Sequence, residues 1–186
     1  GGVGHIAIQL ARIAGAEVCA TVGSADKAEF ARSFGANHVI NYKEKNFVED
    51  VLDWTSGKGV DIAFDTVGGK TLADTFSAVR HYGDVVTLLA PGPEIDWAIP
   101  RVRNQRLSFE LMLIPVFTGL GDAMAHQGGI LRRGTELFEA RELRIHVDKV
   151  FPLERAAEAH ALVASGKTKG KVVLTVLGMV AEMELG

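Results

Sequence analysis

The chain has 186 residues, enough for one substantial domain with its own hydrophobic core. Apolar residues make up 47% and charged residues 23%, and the formal charge of -3 gives no pull toward nucleic acid or anionic lipid. Cys19 is the only cysteine, which excludes an internal disulfide and any cluster of thiolates around zinc or iron.

Apolar spacing predicts a helix over 5–14, where Ile6, Ile8, Leu10 and Ile13 recur among small residues and Gly15 closes the end. A short β-prone run, 16–22, carries Cys19 among small apolar neighbours and stops at Gly23. Ser24 is a good N-cap for a helix reaching about Phe34, closed by Gly35. The cycle then repeats: strand 38–40, amphipathic helix 46–55, strand 59–68, helix 70–81, and a nearly continuous apolar strand from Gly83 to Ala90. After Pro91 the pattern loosens into a loop. Residues 107–117, LSFELMLIPVF, form a long apolar, β-prone run, and 120–140 reads as a helix interrupted at Gly128-Gly129. An amphipathic helix over 153–165 and a strand over 170–176 complete the series. Strands apolar on both faces and alternating with helices predict an α/β fold, a doubly wound parallel sheet covered on both sides.

No apolar run is long enough to span a bilayer and no signal peptide is visible, so no membrane association is expected and the cytoplasm is the expected location. The start at Gly-Gly without a methionine leaves room for a targeting segment upstream.

Two places carry chemistry. Gly1-Gly2-Val3-Gly4 runs directly into the first helix. Glycines there let the backbone approach a pyrophosphate, whose charge meets free amides and the positive helix end. Such turns also cap helices for structural reasons, so this one alone decides nothing. The end of the β-prone run 16–22 reads Thr21-Val22-Gly23-Ser24-Ala25-Asp26-Lys27. Folds that prefer NAD place an acid at that tip to hold the ribose 2′-hydroxyl. Here the tip is glycine and serine, with Lys27 one helical turn further on, a hydroxyl and an ammonium suited to a 2′-phosphate. Asp26, in the first helical turn, serves the helix dipole. The plainer alternative for Lys27 is a solvated surface lysine.

With these motifs in hand, GGVGHIAIQLAR, ATVGSADKAEFARSFGANHVINY, GVDIAFDTVGG and FPLERAAEAHALVASGKTKGKVVLTV resemble the zinc-independent quinone oxidoreductases and the zinc-type alcohol dehydrogenase-like proteins. Both belong to the medium-chain dehydrogenase/reductase superfamily. The resemblance follows the same order through nearly the whole chain, with gaps at 92–106 and in the last few residues. It implies a Rossmann-type sheet and an NADPH-dependent oxidoreductase acting on a quinone, an α,β-unsaturated carbonyl or a related carbonyl/alcohol pair.

The resemblance also implies roles. Gly2, Val3 and Gly4 match the pyrophosphate turn. Ser24 and Lys27 match positions that hold the adenosine 2′-phosphate, and Tyr42 matches a tyrosine lining that pocket; a buried strand-end tyrosine is its alternative. Leu89 and Ala90 match backbone positions beside the nicotinamide. Lys171 matches a basic residue reaching back to the pyrophosphate, or else is a plain surface lysine. Asp65, in DTVGG, is implied to shape the cofactor cleft rather than to act as an acid or base, and no catalytic residue is identified.

The family's first strand, central in the order 3-2-1-4-5-6, and its preceding substrate domain have no counterpart here. The chain is therefore expected to be a fragment, inactive alone. Residues 1–150 would be a dinucleotide-binding domain truncated at its start, and 151–186 a helix and strand returning toward the substrate domain. The second and fourth strands of the family order would lack their shared neighbour. The six histidines are scattered without ligand spacing, so no metal is expected. The run 107–114 would be an aggregation hazard as an unprotected edge, and the resemblance implies a homodimer through it; a strand buried under helices is the alternative. Two further readings stand beside the reductase: a non-catalytic, redox-sensing nucleotide module of the same fold, and a methyltransferase. The absence of an acid at the second strand tip speaks against the methyltransferase.

Overall fold

The computed structural model describes residues 1–176. The elements in chain order begin with α1 (Gly4–Ile13), β1 (Cys19–Val22), α2 (Ala25–Ser33), β2 (His38–Asn41), α3 (Phe47–Trp54), β3 (Val60–Asp65), α4 (Gly69–Ala78) and β4 (Val79–Thr87). They continue with α5 (Ala98–Val102), β5 (Arg106–Phe109), α6 (Ile114–Thr118), α7 (Gly121–Glu139) and β6 (Val147–Pro152). A 3-10 turn (Leu153–Arg155), α8 (Ala156–Ala164) and β7 (Lys171–Thr175) follow. The expected C-terminal piece, 151–186, is described as far as residue 176, and residue 150, where the expected division falls, lies inside β6.

The fold is α/β with parallel strands. β3, β4 and β5 form one parallel sheet in that order, β6 pairs in parallel with β7, and β1 pairs with β2. β1 and β3 belong to different sheets. The neighbours within the β1–β2 and β3–β4–β5 sheets are those that the expected order leaves paired once its central strand is omitted.

The chain forms two compact units. The first comprises residues 1–20, 25–39 and 134 onward; the second comprises 21–24 and 40–133. In the first unit α1 and α2 end alike. Gly15 (φ 85°) donates to the Arg12 carbonyl and Ala16 to that of Ala11, while Gly35 (φ 104°) and Ala36 do the same for Arg32 and Ala31. These are paired Schellman closures, which need a left-handed residue that glycine supplies without strain. β1 begins later than the expected residue 16, because the Asn37 side chain takes the Val18 N–H at 2.9 Å before the ladder can use it.

In the second unit, Leu72 and Phe76 of α4 pack on Val79 and Val85 of β4 and on Ile95, all buried. The junction between α4 and β4 departs from expectation: the helix stops at Ala78 and the strand starts at Val79 rather than at Gly83. Two glycines explain this. A Cβ on Gly59 would stand 2.7 Å from the Ala78 carbonyl, and one on Gly83 would stand 2.5 Å from Val79 Cγ1. Their bareness lets β3 and β4 close together early, with Val60 opposite Val79 and a register slip before Ile62 meets Asp84.

Four more expectations are corrected. The strand expected over 107–114 ends at Phe109. Pro115 lacks an amide donor and suits a first helical turn, so the run breaks into α6, closed by Gly119 at φ 68°. The run is not buried under helices either, since Met112 is 70% and Phe117 76% exposed. Helix α7 passes through Gly128-Gly129 unbroken. Helix α5 lies in what reads as loop, and β6 (VDKVFP) is too polar to announce itself as a strand.

Candidate functional site

In the first unit the site is built around the start of α1. Val3 occupies the N-cap, no side chain caps the helix, and its first turn has no acidic residue. The positive end of the helix is therefore not neutralised by a carboxylate in its own first turn. A Cβ on Gly2 would stand 3.2 Å from the Gly170 carbonyl, 3.2 Å from Lys171 Cδ and 3.4 Å from Lys171 Nζ. The turn is thus glycine because Lys171 lies across it. Lys27 donates from Nζ to the Gly166 carbonyl at 2.5 Å.

Side chains of α1 fix that turn from below. Gln9 donates to the Arg144 carbonyl at 2.9 Å and accepts from its N–H at 2.8 Å, satisfying both halves of the amide. Arg144 in turn reaches the Ser33 carbonyl and lies 4.7 Å over the Phe34 ring. His5, 1% exposed, contacts the Gly1 carbonyl at 2.9 Å and accepts from the His146 N–H at 3.3 Å. Burial, first among the causes, lowers its pKa below the ordinary 6.5.

In the second unit, Gly23 and Ser24 follow the tip of β1, and the Tyr42 N–H donates to the Val22 carbonyl at 3.0 Å. The phenol of Tyr42 leans over Gly23 so closely that a Cβ there would meet Oη at 2.5 Å. Tyr42 is 54% exposed, which removes the alternative of a buried strand-end tyrosine.

The tips of β3 and β4 are clasped by Asp65, 5% exposed. Its carboxylate accepts from the Val67 N–H (3.2 Å), the Gly68 N–H (3.0 Å) and the Thr87 hydroxyl (2.8 Å). The Thr87 oxygen accepts from the Leu89 N–H at 3.1 Å. Gly68 adopts φ 74°, and a Cβ on it would press on Leu89 at 3.1 Å. Leu89 and Ala90 are thus exposed residues on a loop whose root is fixed. Both carboxylate oxygens of Asp65 accept from structural donors, in keeping with a cleft-shaping role rather than proton transfer. Thr87, Gln9 and His146 carry no local signal, because their partners Asp65, Arg144 and His5 lie far along the chain.

Residues 34–174 match the family described as zinc-binding dehydrogenase. The chain belongs to that family. It is 36% identical over 177 residues to a 2-haloacrylate reductase from Burkholderia sp, covering 94% of this chain and 52% of that protein. It is 33% identical to a quinone oxidoreductase from Pseudomonas aeruginosa, covering 94% and 53%. The crystal structure of Escherichia coli quinone oxidoreductase complexed with NADPH superposes with a TM-score of 0.76 at 28% identity, over 94% of this chain and 54% of that one. The chain spans about half the length of the curated relatives it matches. Despite the family's description, no three His, Cys, Asp or Glu side chains converge among the described residues, so these do not fit a zinc ion. No described helix is long and apolar enough to cross a membrane.

Proposed function

We propose that the intact polypeptide is an NADPH-dependent oxidoreductase that reduces a quinone, an α,β-unsaturated carbonyl or a related carbonyl substrate. The observation that carries this reading is the uncapped start of α1, with Lys171 lying across Gly2. A cradle that a single Cβ would fill, with the Lys171 ammonium beside it, suits a diphosphate. Gly2, Val3, Gly4 and Lys171 would hold that diphosphate. Ser24, Lys27 and Tyr42 would take the adenosine 2′-phosphate, and the backbone of Leu89 and Ala90 would flank the nicotinamide. The bound nicotinamide supplies the hydride, while the protein orients it and excludes water. The relatives' names support the reductase class.

Mixing the full-length protein with NADPH and a quinone, and following the loss of nicotinamide absorbance, tests the reading. Steady oxidation is expected. Binding of NADPH without oxidation by any acceptor would leave only the non-catalytic nucleotide module. The exposed run Phe109, Leu111, Met112 and Leu113 further supports a homodimer through 107–114. Light scattering at micromolar concentration should give twice the chain mass, and a monomer would refute it.

A further inference from the structure

His5 makes more contacts than packing requires. Phe30 and Phe34 lie against its ring at centroid distances of 6.1 and 5.4 Å, and an apolar side chain would fill that pocket as well. A polar ring buried among aromatics is costly unless both nitrogens are used. Both are. The His146 N–H can only donate, so Nε2 is the acceptor; Nδ1 then carries the proton and donates it to the Gly1 carbonyl.

The connection continues through His146. Its carbonyl accepts from the Lys171 N–H at 2.8 Å, and Gly170 (φ 83°) approaches so closely that a Cβ there would strike the same carbonyl. The Lys171 side chain then returns to Gly2. Gly1, His5, His146, Lys171 and Gly2 form a closed circuit of contacts.

We infer that His5 is a positioning residue: through Nδ1 it holds the glycine turn, and through Nε2 and His146 it sets Lys171 over that turn, so that both stand ready for a coenzyme diphosphate. This rests on the coenzyme reading above.

The test titrates the full-length polypeptide with NADPH, NADH and adenosine 2′-phosphate, which has no diphosphate. His5→Phe keeps a ring but leaves the Gly1 carbonyl and the His146 N–H unpaired. It should lower affinity for both coenzymes about tenfold, while adenosine 2′-phosphate binds as it does to wild type. If that variant does not fold, His5→Leu takes its place. His5→Asn restores an amide donor near the position of Nδ1. It should recover most of the coenzyme affinity while melting lower than the apolar variant, because it underfills the pocket. Unchanged coenzyme affinity in His5→Phe would overturn the inference. So would an equal loss for all three ligands, or an Asn variant that is both the weaker binder and the less stable protein. Wild-type protein that binds neither coenzyme removes the coenzyme reading itself, a result seen before any variant is made.

Discussion

The head of α1 and the tips of β3 and β4 are held by different means. At the strand tips the holding group is local: Asp65 reaches residues 2, 3 and 22 positions away, on a sheet whose α4 face is packed by Leu72 and Phe76. At the glycine turn the holding groups come from 135 and 141 positions away, where Gln9 meets Arg144 and His5 meets His146. The first region is as rigid as the core beneath it. The second is assembled only when the chain returns through β6 and β7. A local clasp depends on apolar burial below it; a long-range clasp depends on each hydrogen bond in it.

The largest effect should come from the core under the strand tips. Phe76→Ala removes a fully buried ring and should cost about 3–5 kcal/mol, read as a fall in the denaturant midpoint. A loss near that of a surface substitution would show that the strand tips do not depend on this core. The next pair separates Lys171, which lies across the glycine turn, from Lys27, which reaches the Gly166 carbonyl. Lys27→Ala should weaken NADPH binding by about 1.5–3 kcal/mol, ten- to a hundredfold, with NADH little changed. Lys171→Ala should weaken both coenzymes alike. Equal losses from Lys27→Ala would show that this lysine is not on the 2′-phosphate. Asp65→Ala leaves the Gly68 and Val67 amides and the Thr87 hydroxyl without their acceptor, a cost of about 1–3 kcal/mol. The milder Asp65→Asn keeps one acceptor oxygen and should fall between the two in thermal midpoint.

What the sequence made legible follows the same division. Gly15 and Gly35 could be read as helix closures because the signal sits beside the helix it ends. The alternation of strands and helices was equally plain, and the split between β1 and β3 followed from the strand order. The α4–β4 junction was not legible, because Val79 looks helical until Gly59 and Gly83 are known to bring two backbones together. The run 107–117 read as one strand since its hydrophobicity outweighed Pro115. At the site, the nearness of Lys171 to Gly2 was reached only through the family resemblance, and His5 was one scattered histidine among six. No local pattern can announce a partner 141 residues away.

The smallest expected effect concerns acid. Burial lowers the His5 pKa below 6.5, the bond to the Gly1 carbonyl opposes that shift, and Lys171 and His146 add to it. The folded state therefore binds a proton less readily than the unfolded chain. The stability that neutral His5 contributes is complete above about 6.5 and is lost as pH falls through its lowered folded value. His5→Asn has no such proton to take up. The gap in denaturant midpoint between wild type and His5→Asn should thus narrow between pH of about 7.5 and about 5.5, while other titrating groups, common to both proteins, cancel in the difference. A gap that stays constant over that range would mean that the ring is as easily charged in the fold as in the open chain. The glycine turn would then differ from the strand tips only in where its partners lie along the chain, and not in its sensitivity to acid.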